Sequence, residues 1–312
     1  MRILITGGFG FIGGRLGKYL QHMGHQVVLG SRRASRIPNW LPNAEIVKTV
    51  WHDAIALKKI CINIDIVIHA AGMNAEDSVN DPLGAFELNG LATGRLFLAA
   101  KKAKVKRFIF LSTAHVYAKP LIGKIDENTC LRNLHPYATS NVAGENIVLA
   151  DSQITGLESI ILRLSNAFGA PVYKDVNCWM LLVNDLCRQA VHSGKMILKT
   201  SGLIHRDFIS ISQVCKVIEK VSSPNFRFTA PAIFNVGAGV SKSILEMSQL
   251  VKRRCKSVLG FEPELIRGSI GKEIEEEKLN FTTNKLCMTF PIMEDYTNEI
   301  DDLLSFSLKH FK

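Results

Sequence analysis

Thr6-Gly7-Gly8-Phe9-Gly10-Phe11-Ile12-Gly13-Gly14-Arg15-Leu16 follows an apolar run, Arg2-Ile3-Leu4-Ile5, that begins almost at the first residue. The run is short, β-branched and bounded by glycine, the pattern of a buried parallel strand. Phe11-Ile12 through Leu16 and Tyr19-Leu20 recur at helical spacing, so the glycines sit between a strand and a helix. In that setting Gly7, Gly10 and Gly13 have separate uses: a tight turn, close approach of backbone to a pyrophosphate, and close packing of helix on strand. The phosphates would rest on the helix start at Phe11 and Ile12, where unpaired N–H groups and the helix dipole favour an anion. Strand before and helix after are what separate this reading from an ordinary glycine-rich turn.

Working outward, His25-Gln26-Val27-Val28-Leu29-Gly30 reads as a second strand ending in Ser31-Arg32-Arg33. In a dinucleotide fold an acidic residue at that point would hold the adenine ribose 2′-hydroxyl of NAD. Two arginines stand there instead, and a guanidinium pairs bidentately with a 2′-phosphate, which favours NADP over NAD. Glu45-Ile46-Val47-Lys48-Thr49-Val50 predicts a third strand, followed by Trp51-His52-Asp53. Ile64 to His69 predicts a buried strand that runs into Ala70-Ala71-Gly72. A helix around Phe86 to Lys101 carries Asn89, and Val105 to Thr113 is the next strand. Strands alternating with helices predict an α/β fold with a Rossmann-type, doubly wound parallel sheet, whose ligands lie at the carboxyl ends of the strands.

Composition narrows the class. The chain has 312 residues, 47% hydrophobic and 21% charged, enough for a sizeable core. No charged leader precedes the first strand and no stretch has the roughly 18 to 20 apolar residues that span a bilayer, so a cytoplasmic protein with no membrane partner is expected. The seven cysteines are scattered and never spaced C-x-x-C, as for reduced, mostly buried thiols. The nine histidines form no ligand pattern, and no metal is expected. The formal charge of +10 gathers at Lys101-Lys102, Lys104, Lys106-Arg107 and Lys252-Arg253-Arg254-Lys256. These clusters lack the interleaved aromatics of a single-strand nucleic-acid binder, so they read as solvated helix faces, with a small anionic substrate as the remaining use.

Several stretches together resemble one family. They are the glycine-rich opening, Asp53, His69-Ala70-Ala71-Gly72, Asn89, Ser112-Thr113-Ala114-His115-Val116-Tyr117 and Pro136-Tyr137. Arg163-Leu164-Ser165-Asn166-Ala167-Phe168-Gly169, His205-Arg206-Asp207-Phe208-Ile209 and Asn235-Val236-Gly237 continue them. The chain is similar over nearly its whole length to the extended short-chain dehydrogenase/reductases, in their nucleotide-sugar epimerase/dehydratase branch. The resemblance implies a nicotinamide cofactor held by Gly7, Gly10, Phe11, Ile12, Gly13, Arg32, Arg33, Asp53, Ala70, Ala71, Gly72, Asn89, Tyr137 and the residue four beyond it. It implies a nucleotide-diphosphate sugar as substrate, contacted by Thr113, His115, Asn166 and Arg206. It also implies a homodimer through helices at 86–101 and 137–150.

In that family a Ser or Thr orients the sugar oxygen, a Tyr exchanges its proton, and a Lys four residues after the Tyr holds the nicotinamide ribose and lowers the Tyr pKa. Thr113 and Tyr137 match; the third position is Asn141. A phenol has a pKa near 10, so without a neighbouring cation only about one part in a thousand ionises at pH 7. Asn can hydrogen-bond a ribose but supplies no charge. Two readings stay open: an epimerase or ketosugar reductase in which the loss is compensated or Tyr137 serves mainly as an acid, and a nucleotide-binding protein without turnover. Ala114-His115 stands where dehydratases of the family carry an acidic pair, which argues against elimination of water. His115 could take an acid or base part, or be a satisfied polar residue.

Leu157 to Arg163 predicts a sixth strand, after which the chain leaves the sheet. Cys178 to His192 has helical periodicity, Met196-Ile197-Leu198 is a short strand, and Ser241 and Ser243 precede a capped helix from Ile244 to Arg254. A Rossmann domain over residues 1–165, with a return near 203–240, and a smaller, discontinuous C-terminal substrate-binding lobe over most of 166–312 are expected. Glu275-Glu276-Glu277 reads as solvated surface or as part of a substrate-side loop in which Arg267 reaches a phosphate.

Overall fold

The computed structural model describes residues 1–33, 36–152, 156–268, 278–288, 290–292 and 295–312, without the side chains of 151 and 152. The Glu275-Glu276-Glu277 run lies outside the described residues. The chain divides into two compact units. One comprises Met1–Lys119, Thr129–Leu164 and Val217–Phe234, the other Pro120–Asn128, Ser165–Lys216 and Asn235–Lys312.

Seven strands form the main sheet: β1 (Arg2–Thr6), β2 (Gln26–Ser31), β3 (Glu45–Lys48), β4 (Ile66–His69), β5 (Arg107–Thr113), β6 (Glu158–Leu164) and β7 (Ala232–Val236). Their order is β7-β6-β5-β4-β1-β2-β3, and the pairs from β6 across to β3 run parallel. The chain therefore winds outward from β1 to β3, then from β4 to β6 on the other side. The switch point lies between β1 and β4, where Thr6 pairs with His69 in register.

The helices that cross between these strands are α1 (Phe11–His22), α2 (Ala54–Ile60), α3 (Ala92–Lys102) and α4 (Pro136–Ser152). Leu4, Val67 and Phe108 of the sheet, with Leu57, Leu96, Phe97 and Val148 of the helices, make one buried core on one face. The helix expected from Phe86 is interrupted: Phe86–Leu91 forms a π turn before α3 begins. Helix α4 packs closely against it, since a Cβ on Gly144 would lie 2.5 Å from the Asn89 carbonyl oxygen. The π turn thus sits where the expected cofactor residue Asn89 faces α4, the setting in which such bulges recur.

In the second unit His205–Ser210 pairs in parallel with Asn166–Phe168 and antiparallel with Ser241–Ser243. Helices Leu182–Ser193, Ile244–Leu259 and Tyr296–Phe311 close over Phe168, Leu186, Met247, Ile300 and Leu303. Two expectations change here. The helix read from Cys178 begins only at Leu182, because Leu181 is extended (ψ 133°) and Cys178 closes a turn that accepts from the Leu181 N–H. The capped helix runs past Arg254 to Leu259; Ser243 and Glu246 form a reciprocal capping box at its start, and left-handed Gly260 ends it.

Candidate active site

The glycine turn closes on the switch point. Gly7 has φ +68°, and a Cβ there would meet the Ala70 carbonyl oxygen and the Ala71 nitrogen at 2.8 Å. A Cβ on Gly13 would lie 2.2 Å from the Gly7 carbonyl oxygen. Glycine is thus required for the turn and for the helix-on-strand approach. Gly10 is the N-cap of α1 and makes no side-chain cap, so the first-turn N–H groups at Phe11, Ile12 and Gly13 have no capping acceptor from it. This cradle of backbone donors at a helix start fits the pyrophosphate of a nicotinamide dinucleotide. Phe9, inside the turn, is met edge-on by Trp40, ring centroids 6.0 Å apart.

The flanking cofactor candidates divide by role. Arg32 and Arg33 are exposed just beyond β2, with the Arg33 N–H donating to Ser31 Oγ at 3.2 Å. Asp53 caps α2, its Oδ1 accepting from the N–H groups of Ile55 and Ala56, each at 2.9 Å. Gly72 lies against Asn89, whose Oδ1 would be 3.1 Å from an added Cβ. Asn89 is buried and braces its surroundings: its Oδ1 accepts from the Met73 N–H at 2.7 Å and its Nδ2 donates to Ser140 Oγ at 3.0 Å.

Beneath the switch point lies His69, fully buried, whose partners fix its tautomer. Thr93 Oγ1 donates to the Asn89 carbonyl at 2.7 Å, so it accepts from His69 Nε2–H at 2.9 Å. His69 Nδ1, bare, accepts from Thr6 Oγ1 at 2.7 Å. Burial holds this imidazole neutral, with its pKa lowered to about 3. Trp51 packs edge-on against it at 5.7 Å.

The Thr and Tyr of the expected catalytic set are brought together. Thr113 ends β5 and caps the 3₁₀ turn Ala114–Val116; its Oγ1 accepts from the His115 N–H at 3.1 Å. Tyr137 lies in the first turn of α4, close enough to the Thr113 hydroxyl for that group to act on its phenol. Burial pushes the phenol above its usual 10, and the Thr113 hydroxyl partly opposes that rise. Asn141 is buried one turn on. Its Nδ2 donates to the Tyr137 carbonyl at 2.7 Å, so that donor is spent on the helix's own backbone. His115 is half-buried in the turn that Thr113 caps.

Sequence reasoning missed the support beneath this pair. Glu145, two turns beyond Tyr137 on α4, and Arg163 on β6 form a buried ion pair, Nη2 to Oε2 2.6 Å. Ser112 Oγ donates to Glu145 Oε1 at 2.5 Å, and Arg163 Nη1 donates to the Tyr117 hydroxyl at 2.9 Å with its guanidinium over that ring. Ser112 and Arg163 are register partners on β5 and β6, which seats α4 against the strand that carries Thr113. The helical offset of Glu145 from Tyr137 was available in the sequence, but nothing local tied it to Arg163.

Asn166 and Arg206 belong to the second unit, on neighbouring strands. Asn166 Nδ2 donates to the Asp207 carbonyl at 2.8 Å. Asp207 itself accepts from the N–H groups of Ala238 and Gly239, at 3.0 and 2.8 Å. Arg206 is half-buried, with its pKa lowered by burial, and makes no ion pair among the described residues. Arg267 donates to the Ser201 carbonyl at 2.8 Å. Among the described residues no three His, Cys, Asp or Glu side chains gather as a metal site, and no helix is long and apolar enough to cross a membrane.

Comparison with known proteins agrees with this geometry. A putative UDP-glucose 4-epimerase of Methanocaldococcus jannaschii is 28% identical over 85% of this chain and 84% of its own. A dTDP-glucose 4,6-dehydratase of Streptomyces niveus is 25% identical over 82% of this chain and 78% of its own. The fold superposes with a TM-score of 0.83 on a UDP-N-acetylglucosamine 4-epimerase from Methanobrevibacter ruminantium, in complex with UDP-N-acetylmuramic acid; the two are 24% identical and the match covers 99% of this chain and 98% of that one. Residues 3–237 match the model of the NAD dependent epimerase/dehydratase family, and the chain belongs to that family.

Proposed function

We propose that this chain is a soluble, cytoplasmic enzyme that acts by nicotinamide-dependent hydride transfer at a sugar carbon of a nucleotide-linked sugar, as an epimerase or a ketosugar reductase. The observation that carries this is the placement of Thr113 at the carboxyl end of β5, where a doubly wound sheet presents its ligands, with the Tyr137 phenol near its hydroxyl. A nicotinamide held at the glycine turn would supply or receive the hydride. Thr113 orients the sugar oxygen through its hydroxyl, and Tyr137 exchanges that oxygen's proton.

The direction of transfer follows from Asn141. Among the described residues no charged side chain acts on the Tyr137 phenol in the way the family's lysine would, and burial raises its pKa, so it is a proton donor near neutrality. Reduction of a ketosugar needs such a donor; oxidation of a sugar alcohol needs a base. The arrangement therefore favours the reductive half of the chemistry. NADP is the favoured cofactor, on the exposed Arg32 and Arg33 beyond β2. The second unit serves as the substrate lobe, where Arg206, whose half-buried guanidinium has no countercharge among the described residues, takes the nucleotide diphosphate together with Asn166. A homodimer through the 86–101 and 137–150 helices is supported by Phe86, Leu91 and Leu98, apolar and 41 to 48% exposed.

The second reading is a nucleotide-binding protein without turnover, favoured by the Asn141 amide that donates to the Tyr137 carbonyl and brings no charge. Proton NMR of UDP-, GDP- and dTDP-sugars, keto forms included, with pure protein and NAD(H) or NADP(H), separates the two. New sugar resonances that vanish in Tyr137→Phe establish the enzyme. An unchanged panel with cofactor bound establishes the binder.

A further inference from the structure

The segment that runs into α4 carries side chains outside the expected catalytic set, and their hydrogen bonds link Tyr137 to Thr113. The Tyr137 N–H donates to His135 Nδ1 at 3.2 Å. The His135 N–H donates to Asn133 Oδ1 at 3.0 Å. Asn133 Nδ2 donates to the His115 carbonyl at 2.6 Å, and the His115 N–H donates to Thr113 Oγ1 at 3.1 Å. A chain of four hydrogen bonds thus ties the Tyr137 backbone to the Thr113 hydroxyl, which lies near the Tyr137 phenol.

We infer that Asn133 and His135 are positioning residues that set the separation and aim of the Thr113–Tyr137 pair. Asn133 is suited to this because both ends of its amide are engaged. Its second Nδ2 hydrogen faces the Ala118 carbonyl at 3.5 Å, while Oδ1 accepts from the segment leading into α4. Each planar amide end thus fixes one of the two catalytic segments against the other. The alignment has a second anchor, since the Arg132 N–H donates to the Tyr117 carbonyl at 2.7 Å and lays residue 132 along the same turn.

His135 acts as the N-cap of α4. Its carbonyl accepts from the N–H groups of Ala138 and Thr139, at 2.8 and 3.0 Å, and its Nδ1 takes the orphan N–H of Tyr137. Because Nδ1 accepts, the ring proton sits on Nε2. The cap therefore holds the backbone of the very residue whose phenol does the chemistry. A rate that depends on ångström-scale alignment makes such support visible: a misplacement of about 1 Å costs about 10²-fold.

The inference rests on the proposed roles of Thr113 and Tyr137, and its test needs no substrate. The chain has five tyrosines, so protein labelled with ¹³C at tyrosine Cζ gives five resonances, with Tyr137 assigned by Tyr137→Phe. The Tyr137 shift reports the nearness of the Thr113 hydroxyl, and Thr113→Val defines the value when that hydroxyl is absent. Asn133→Ala and His135→Ala are expected to move only the Tyr137 resonance, toward the Thr113→Val value. His135→Ser, which restores an N-cap acceptor, is expected to keep the wild-type value. A Tyr137 resonance unmoved in both alanine variants while the other four tyrosines keep their shifts overturns the inference. So does His135→Ser behaving like His135→Ala. Should Asn133→Ala fail to fold, the two His135 variants decide alone. Where turnover is found, kcat falls about 10²-fold in the alanine variants with KM unchanged; a moved resonance in a protein without turnover leaves the positioning intact and removes the enzymatic reading.

Discussion

The amide of Asn141 donates to the backbone carbonyl of Tyr137, one helical turn before it, at 2.7 Å. A lysine at that position would present a cation to the ribose and the phenol; the amide instead folds back on its own helix, and the Tyr137 phenol has only the nearby Thr113 hydroxyl to oppose the effect of burial.

Asn141→Lys is therefore expected to lower the Tyr137 pKa and to raise the rate of sugar-alcohol oxidation at neutral pH by about tenfold or more, with a smaller effect on ketosugar reduction. Stopped-flow rates in the two directions check this. Equal rate changes in both would mean that Tyr137 does not serve chiefly as an acid.

Glu145→Gln leaves the Arg163 guanidinium buried without its countercharge, and Ser112 and Tyr117 offer only hydroxyls in its place. The expected loss is about 3–5 kcal/mol in urea unfolding. Glu145→Met with Arg163→Met removes both charges and recovers most of that loss while leaving α4 less firmly seated on β5. Its signature is near-normal stability with reduced activity.

His69 makes stability depend on pH. Its ring stays neutral in the folded protein down to about 3, whereas in the unfolded chain it takes up a proton near 6.5. Between those values the unfolded state binds more protons, so stability is full above pH 6.5 and falls as pH drops through the window, by a few kcal/mol at its lower end. Melting temperature against pH should show a steeper acid-side slope for wild type than for His69→Leu, which carries no titrating ring.

Arg32→Ala with Arg33→Ala is expected to weaken NADPH binding by about tenfold or more for each guanidinium that holds the 2′-phosphate, with NADH binding little changed. Calorimetry with both cofactors measures the ratio. An equal loss for the two would place these arginines away from the 2′-phosphate.

Much of this architecture is legible in the chain because its signals are local. Gly7, Gly10 and Gly13 stand between a β-branched run and a helical period, and each has a steric reason in where a Cβ would fall. Tyr137 and Asn141 are four residues apart on one helix, so the departure from the family pattern shows in the sequence. The π turn at Phe86–Leu91 does not, because a single widened turn leaves the apolar repeat almost unchanged. Cys178 to Leu181 has the right periodicity for helix, but an extended Leu181 breaks it. Glu145 with Arg163, and Asn133 with His115, pair across 18 residues, and only the folded chain brings them together. Pairs of that kind carry no period and no spacing to read.

The edge-on contact between Trp40 and Phe9 places an indole beside the glycine turn. The other two tryptophans are far from that role: Trp51 is buried in the core against His69, and Trp179 lies in the second unit. Indole emission falls in the band that reduced nicotinamide absorbs. The protein thus carries its own optical reporter, in which quenching of Trp40 and sensitised nicotinamide light register the arrival of the cofactor without any added label.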